Sequence, residues 1–82
     1  MTIRVAVSGA SGRMGKEVVK MTLEDPELAL VAAVDRSSRN IDAGVMVGKP
    51  ACGVMVHNDL ELALVEGRPD VLVDFTTPHA VM

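Results

Sequence analysis

The sequence has almost no aromatic side chains: it contains no Trp and no Tyr, and Phe75 is its one aromatic residue. Proteins that stack nucleic-acid bases, or line a sugar or peptide groove with rings, use more aromatic residues than this. Basic residues are also few, since eight Lys and Arg stand against eleven Asp and Glu, for a formal charge of -3 at pH 7. The composition therefore argues against a nucleic-acid partner.

Long apolar runs and cysteines are scarce as well. The longest unbroken apolar run, Leu28–Val34, has seven residues, far fewer than a membrane span needs. The first residues lack the length and cleavage pattern of a signal peptide. The single Cys52 cannot form an internal disulfide or a multi-cysteine metal site. These features predict a cytoplasmic protein with no membrane partner and no metal.

Apolar residues are nevertheless abundant, at 49% of the 82 residues. A domain of this size buries only about 60% of the surface that its unfolded chain exposes, so much apolar surface would remain in water. Either self-association or a further part of a longer protein should cover it. We expect the second, a truncated domain, because residues 78–82 do not resemble a natural chain end.

The first part of the chain has the pattern of a strand, a helix and a second strand. Ile3–Ser8 and Leu28–Val34 are almost wholly apolar, which is typical of parallel strands buried on both faces. We expect an amphipathic helix to begin near Arg13 and to end at Asp25, because a residue before proline is pushed out of the helical conformation. Its predicted buried face has the helical spacing i, i+4, i+7: Met14, Val18 and Met21.

The middle of the chain carries a weaker pattern. Residues 35–53 are polar and aperiodic, so we expect a loop with at most one short turn of helix. Residues 54–56 predict a short third strand. Asn58 followed three positions later by Glu61 resembles a capping box that opens a helix, and Gly67 should stop that helix.

Residues 71–73 complete the pattern as a further buried strand. Strands alternate with helices along the chain, and the strands are continuously apolar rather than alternating. The prediction is an α/β fold: a Rossmann-like doubly wound parallel sheet, partial, with about four strands and flanking helices. Residues 1–82 would form a truncated dinucleotide-binding domain, without a substrate and tetramerisation domain.

A glycine-rich turn joins the first strand to the first helix. Gly9, Gly12 and Gly15 are spaced by three, and Ser11 stands where the usual G-x-G-x-x-G motif has its second glycine. The context strengthens this weak motif, because backbone amides at a helix start can approach a pyrophosphate. The three glycines can supply a tight turn, close ligand approach and close helix packing. The alternative is that they only fold the turn.

Asp35 directly follows the second apolar run and lies 20 positions after Gly15, where a dinucleotide site places its ribose acceptor. Residues 36–39 then bring two guanidinium groups and two hydroxyls, which suit a ribose 2′-phosphate, with Arg36 placed to reach it. Arg13 could add charge near the phosphates or the adenine, and the alternative is an arginine that is simply exposed in the first turn of the helix. The cofactor predicted is NADH or NADPH. The alternatives are an aspartate that merely ends a strand and a solvated basic loop.

Phe75 and Thr76 follow the last predicted strand, so they would line the nicotinamide side of the same edge. The alternative is a turn that caps the next helix, with Thr77 as the cap. His57 and His79 are isolated in the sequence and are not spaced with other ligands, which is typical of surface or turn residues. We predict no catalytic residue and no metal ligand within this chain.

Taken together, these motifs resemble the amino-terminal part of the dihydrodipicolinate reductase (4-hydroxy-tetrahydrodipicolinate reductase) family of lysine and diaminopimelate biosynthesis. The resemblance spans the whole chain and lies in four segments: IRVAVSGASGRMG, VDR, IDAG followed by Gly48, and VLVDFTTP.

The resemblance implies a reductase that transfers hydride from NADH or NADPH to a cyclic unsaturated dicarboxylate, and a homotetramer at full length. It implies that the fragment by itself is inactive, because the family's catalytic segment has no counterpart here. Its cofactor residues map onto this sequence as a pyrophosphate loop, a ribose contact, a 2′-phosphate contact and a cofactor-side turn: Gly9, Ala10, Ser11, Gly12, Arg13 and Met14, then Asp35, then Arg36, then Phe75 and Thr76.

Two rival hypotheses stay open at this point. One is the nucleotide-binding half of another amino-acid-pathway dehydrogenase, such as an enzyme acting on homoserine or aspartate semialdehyde. The other is a non-catalytic dinucleotide-binding module that functions as the 82-residue chain itself.

Overall fold

The computed structural model describes residues 2–36 and 40–75. Its strands form one parallel sheet: β1 (Ile3–Ser8), β2 (Leu28–Val34), β3 (Val56–His57) and β4 (Val71–Asp74). Three helices lie in the connections: α1 (Arg13–Glu24), α2 (Ala43–Met46) and α3 (Leu60–Gly67). The strand order is β3-β2-β1-β4, as in half of a doubly wound sheet. The predicted partial Rossmann-like fold is confirmed.

The two central strands carry the core on both faces of the sheet. On one face, Val5 and Val7 of β1 pack with Val19 of α1. On the other face, Ala6 of β1 packs with Ala63 of α3. Continuous apolar runs suit strands that are covered on both sides. This explains why the predicted bounds of β1 and β2 are confirmed to the residue.

The buried face of α1 is not the predicted one. Gly15, Val19 and Thr22 are buried, whereas Met14 and Met21 are 58% and 56% exposed. The reason is the contact at Gly15, where an added Cβ would lie 2.1 Å from the carbonyl oxygen of Gly9. Glycine lets the helix backbone approach the turn, and this approach fixes the rotation of the helix.

The middle of the chain follows the prediction in outline. A loop with the short helix α2 is present, as predicted. The third strand begins at Val56, because the preceding Met55 pairs with Asp42 in an isolated antiparallel bridge. The cap of α3 is Asp59 rather than Asn58: its carboxylate accepts a hydrogen bond from the N–H of Leu62 at 3.0 Å.

Gly67 ends α3, as predicted. It is the last residue of the helix, and Arg68 adopts the left-handed conformation after it. A Cβ at Gly67 would lie 2.7 Å from the carbonyl oxygen of Val31, so this glycine allows the helix end to pack on β2.

The predicted burial of β4 is also wrong. Val71 and Leu72 are 46% and 41% exposed. The strand lies at the end of the strand order and pairs with β1, so one of its edges faces away from the sheet. Within the described ranges, no helix is long and apolar enough to cross a membrane.

Candidate dinucleotide-binding site

The predicted site residues lie at one edge of the sheet. Gly9 follows β1, Asp35 follows β2 and Phe75 follows β4. All four strands are parallel, so their carboxyl ends meet at the same edge. In doubly wound sheets ligands bind at this edge, where the strand order reverses. Here β2, which follows β1 in the chain, lies on one side of β1, and β4, which follows β3, lies on the other.

The glycine loop turns sharply back toward the end of β2. Gly9 has φ 78°, a left-handed conformation that glycine adopts without strain. The N–H groups of Gly9 and Ala10 both donate to the carbonyl oxygen of Val34, at 2.8 and 3.0 Å. The N–H of Gly12 donates to the carbonyl oxygen of Gly9 at 3.2 Å. The loop backbone is therefore tied to β2 and to itself.

The three glycines of the loop have different structural reasons. Gly9 forms the turn and Gly15 allows close packing of α1, as the predicted division of roles requires. Gly12 is different, because it has extended backbone angles (φ -75°, ψ 170°) that any residue adopts. A Cβ there would meet the carbonyl oxygen of Gly9 at 3.4 Å, an ordinary contact. Neither the turn nor the packing requires glycine at this position.

The amino-terminal end of α1 has no cap from a side chain of the described residues, and its first turn contains no acidic residue. By contrast, α2 is capped by Asp42 and α3 by Asp59. The first N–H groups of a helix have no partner inside the helix and carry partial positive charge. An end left without a carboxylate suits a ligand's anionic group. Arg13 and Met14 are both exposed at this end.

Asp35 lies beside the glycine loop, as predicted from its position after β2. The backbone N–H of Ser11 donates to Oδ2 of Asp35 at 3.0 Å. The backbone N–H of Asp35 donates to the carbonyl oxygen of His57 at 2.8 Å, which holds the residue at the end of β2. The structure thus brings together the loop and the acid, which lie 24 positions apart at Ser11 and Asp35.

A cavity of about 220 Å³ opens at this edge, on the α3 side of the sheet. Asp35 and Arg36 line it, with Arg36 exposed. The sequence had indicated no ligand-binding role for three further lining residues: Asn58, Leu60 and Asp74. Asp74 ends an apolar strand just as Asp35 does, so the same positional rule could have identified it. The contributions of Asn58 and Leu60 depend on where α3 packs.

Phe75 lies at the same edge but packs inward. Its N–H donates to the carbonyl oxygen of Ser8 at 2.9 Å, which continues the pairing of β4 with β1. Its half-buried ring packs against the core cluster between the sheet and α1. Thr76 lies outside the described residues, as do residues 37–39 with the second predicted arginine.

Asp42 is a structural residue that sequence reasoning missed. Its carboxylate accepts hydrogen bonds from four backbone N–H groups: Gly44 at 2.7 Å, Val45 at 3.2 Å, Cys52 at 3.0 Å and Gly53 at 2.9 Å. These bonds, that from Cys52 above all, lower the pKa of Asp42 to about 2 against a partial opposing effect of burial. Its position just before the short helix α2 was the available signal.

Within residues 2–36 and 40–75, no group of three or more His, Cys, Asp or Glu side chains is arranged to hold a metal ion. The groups that the described residues supply at this edge are backbone N–H donors, the exposed guanidinium groups of Arg13 and Arg36, and carboxylates. Together they suit a ligand that carries both phosphates and hydroxyls.

Comparisons with known proteins agree with this chemistry. The family model described as "Dihydrodipicolinate reductase, N-terminus" matches residues 3–82. A 4-hydroxy-tetrahydrodipicolinate reductase from Moorella thermoacetica is 43% identical over 81 residues, which cover 99% of this chain and 30% of that protein. One from Listeria monocytogenes is 46% identical over 76 residues, covering 93% of this chain and 29% of that protein.

A solved structure is similar as well. A dipicolinate-bound dihydrodipicolinate reductase from Paenisporosarcina sp. TG-14 superimposes with a TM-score of 0.72 at 38% identity, covering 99% of this chain and 31% of that one. The chain therefore spans about 30% of the length of such relatives. The resemblance predicted from the sequence is confirmed.

Proposed function

Because the chain belongs to the family of dihydrodipicolinate reductase amino-terminal domains, we propose that it is the NAD(P)H-binding portion of a 4-hydroxy-tetrahydrodipicolinate reductase. The substrate of the whole enzyme would be a cyclic unsaturated dicarboxylate in lysine and diaminopimelate biosynthesis. The names of the relatives and the dipicolinate bound to the Paenisporosarcina enzyme support this substrate class. A reduced nicotinamide would supply the hydride.

One observation carries the proposal: the hydrogen bond of 3.0 Å from the Ser11 N–H to Asp35 Oδ2. This bond supports the proposal because the carboxylate that would accept the ribose hydroxyls then lies next to a helix end suited to phosphates. In a dinucleotide the adenosine ribose and the pyrophosphate are adjacent groups, so one ligand can engage both.

The residues of the loop then have distinct parts. The N–H groups of Arg13 and Met14 at the start of α1 would hold the pyrophosphate, with the exposed side chain of Arg13 adding charge. Gly9, Ala10 and Ser11 shape the turn beneath it. The absence of a side chain at Gly12 leaves room for close approach, which is the fit expected of a dinucleotide cradle.

Ribose recognition would depend on the end of β2. Asp35 would accept hydrogen bonds from the ribose hydroxyls of NADH. Arg36, exposed beside it, would reach the 2′-phosphate of NADPH. Phe75 and Thr76 would form the turn on the nicotinamide side. We propose no catalytic residue in this chain.

The remainder of the proposal concerns the longer protein. We propose that residues 1–82 are a truncated dinucleotide-binding domain, and that the substrate site and the contacts of a homotetramer belong to further sequence. The 30% coverage of the relatives supports this division. A single cysteine supports a reducing, cytoplasmic setting. The full-length enzyme would be the active species.

Titration of the chain with NADH and with NADPH, by calorimetry or fluorescence, tests the proposal. We expect saturable binding of both. Asp35→Ala should weaken NADH about tenfold or more, because a charged acceptor for the ribose is lost. Arg36→Ala should weaken NADPH about tenfold and NADH less than about twofold.

Lys20→Ala provides a matched control, since it removes an exposed cation on α1 away from the loop. It should change neither affinity. Failure of the folded chain to bind either nucleotide would contradict the proposed site. Equal losses of NADH and NADPH affinity on Arg36→Ala would remove that residue from the 2′-phosphate contact.

A further inference from the structure

The backbone N–H groups of the glycine loop are engaged in two different ways. Those of Gly9 and Ala10 donate to the carbonyl oxygen of Val34, and that of Gly12 donates to the carbonyl oxygen of Gly9. These three bonds join backbone to backbone, so no side-chain substitution removes an acceptor. The N–H of Ser11 instead donates to a side chain, at Asp35 Oδ2. The tip of the loop thus depends on the identity of a residue 24 positions away.

From this arrangement we infer that Asp35 is a positioning residue for the pyrophosphate loop, in addition to the ribose acceptor named above. Its carboxylate fastens the Ser11 peptide to the end of β2, and Ser11 directly precedes the uncapped start of α1 at Gly12. The inference rests on the proposed function, because it concerns how the same nucleotide site is held in shape before a ligand arrives. Preorganised N–H groups bind an anion without first ordering the loop.

The negative charge of Asp35 allows the positioning role to be tested by whether affinity for a phosphate ligand rises or falls when Asp35 is removed. A carboxylate near a phosphate site repels the phosphates. If Asp35 contributed only to ribose recognition, its removal would leave unchanged, or strengthen, the binding of a ligand that has phosphates but no ribose hydroxyls. If Asp35 also holds the loop, its removal would weaken the binding of that same ligand.

The experiment compares ADP with 2′,3′-dideoxy-ADP, which has the same phosphates and lacks both ribose hydroxyls. Binding of each is measured to the wild-type chain and to Asp35→Ala. We expect the variant to weaken ADP about tenfold or more and dideoxy-ADP about threefold or more. Unchanged or tighter binding of dideoxy-ADP would overturn the positioning role while leaving the ribose contact intact.

Asp70→Ala is the matched control. Asp70 Oδ2 also accepts one hydrogen bond from a backbone N–H, that of Arg4 at 2.9 Å, but it lies just before β4 at the opposite edge of the sheet. This variant removes the same charge and the same kind of bond. It should bind both nucleotides as the wild type does, and a loss equal to that of Asp35→Ala would overturn the inference.

Two further measurements do not depend on Asp35→Ala remaining folded. In Asp35→Asn an amide oxygen can still accept the Ser11 N–H, so dideoxy-ADP should bind within about twofold of wild type while ADP weakens. In the wild-type chain without ligand, the Ser11 amide should show slowed hydrogen exchange, and fast exchange would overturn the inference. Failure of the wild type to bind ADP would instead contradict the proposed function.

Discussion

The backbone N–H groups at the start of α1 and those at the start of α2 have opposite arrangements. Before α2, the carboxylate of Asp42 accepts hydrogen bonds from the N–H groups of four residues. These bonds join the start of α2 to residues 52 and 53 of the loop that follows it. Before α1, no side chain of the described residues caps the helix, and Gly12 occupies the position where Asp42 stands at α2. Both places gather donors that attract an anion.

The difference supports the position proposed for the pyrophosphate, at the start of α1. The Asp42 loop already contains its anion, so its donors are satisfied by the chain itself. The α1 end has a glycine although neither its backbone angles nor its packing require one. The proposed function accounts for this glycine, because it assigns the phosphates of a nucleotide to the start of α1.

We expect the largest effect from a substitution that disrupts the packing of α1 against the glycine loop. In Gly15→Ala the new Cβ would lie 2.1 Å from the carbonyl oxygen of Gly9. We expect the free energy of unfolding to fall by about 2–3 kcal/mol, although alanine is the better helix former. Urea unfolding measures it. Gly12→Ala is the matched control and should unfold close to wild type, whereas equal stability of the two variants would contradict the assigned roles.

The comparison itself can be inverted with Gly12→Asp, which would give α1 the kind of cap that α2 has. We expect NADH affinity to fall at least about tenfold, because the carboxylate repels the pyrophosphate and occupies its donors. Stability should rise by a few tenths of a kcal/mol, up to about 1 kcal/mol. Gly12→Ala separates the effect of charge from that of size. Unchanged NADH binding in Gly12→Asp would show that the α1 end is not the phosphate site.

The stability that the Asp42 carboxylate contributes should depend on pH. Because its N–H partners lower the pKa of Asp42 in the fold to about 2, the carboxylate stabilises the fold above its usual pKa of 3.8. That contribution should disappear as the pH falls from about 4 toward 2. Thermal unfolding of wild type and Asp42→Asn should therefore differ most above pH 4 and converge at lower pH. A difference that stays constant across this range would rule out Asp42 as the cause.

The smallest effect is expected at the ion pair between Lys49 and Glu24. Lys49 Nζ lies 2.7 Å from Glu24 Oε2, joining the end of α1 to the loop after α2. Glu24 is exposed at 51% and Lys49 is half-buried at 28%, and ion pairs at the protein surface contribute little to stability. Glu24→Gln should leave the midpoint of thermal unfolding unchanged within error. A clear drop would mean that the two regions are coupled more strongly than their contacts indicate.

The sequence predicted correctly those features that depend on neighbouring residues, and it was wrong where a contact between distant residues decides the outcome. The bounds of β1 and β2 follow from continuous apolar runs, and the end of α1 follows from the proline at position 26, so these predictions are confirmed. The buried face of α1 was wrong because two sets of residues share the same helical spacing. Hydrophobicity favoured Met14 and Met21, whereas close packing of Gly15 on Gly9 selected the other set.

The site shows the same division. Gly9, Gly12 and Asp35 could be identified from their spacing along a strand-turn-helix-strand pattern. Their contact through Ser11 could not, since it depends on how the loop folds over the end of β2. Likewise, Asn58 and Leu60 reach the cavity because α3 packs across the sheet from another part of the chain.

The sequence by itself determined the order of elements, the central pair of strands and the positions of the dinucleotide motif. These depend on apolar patterning and on backbone preferences that act between neighbouring residues. Only the tertiary structure decided which face of α1 is buried, which backbone N–H groups donate to Asp42 and that the Asp35 carboxylate accepts a hydrogen bond from Ser11. Those outcomes depend on distances between residues far apart in sequence, and such distances exist only once the sheet has formed.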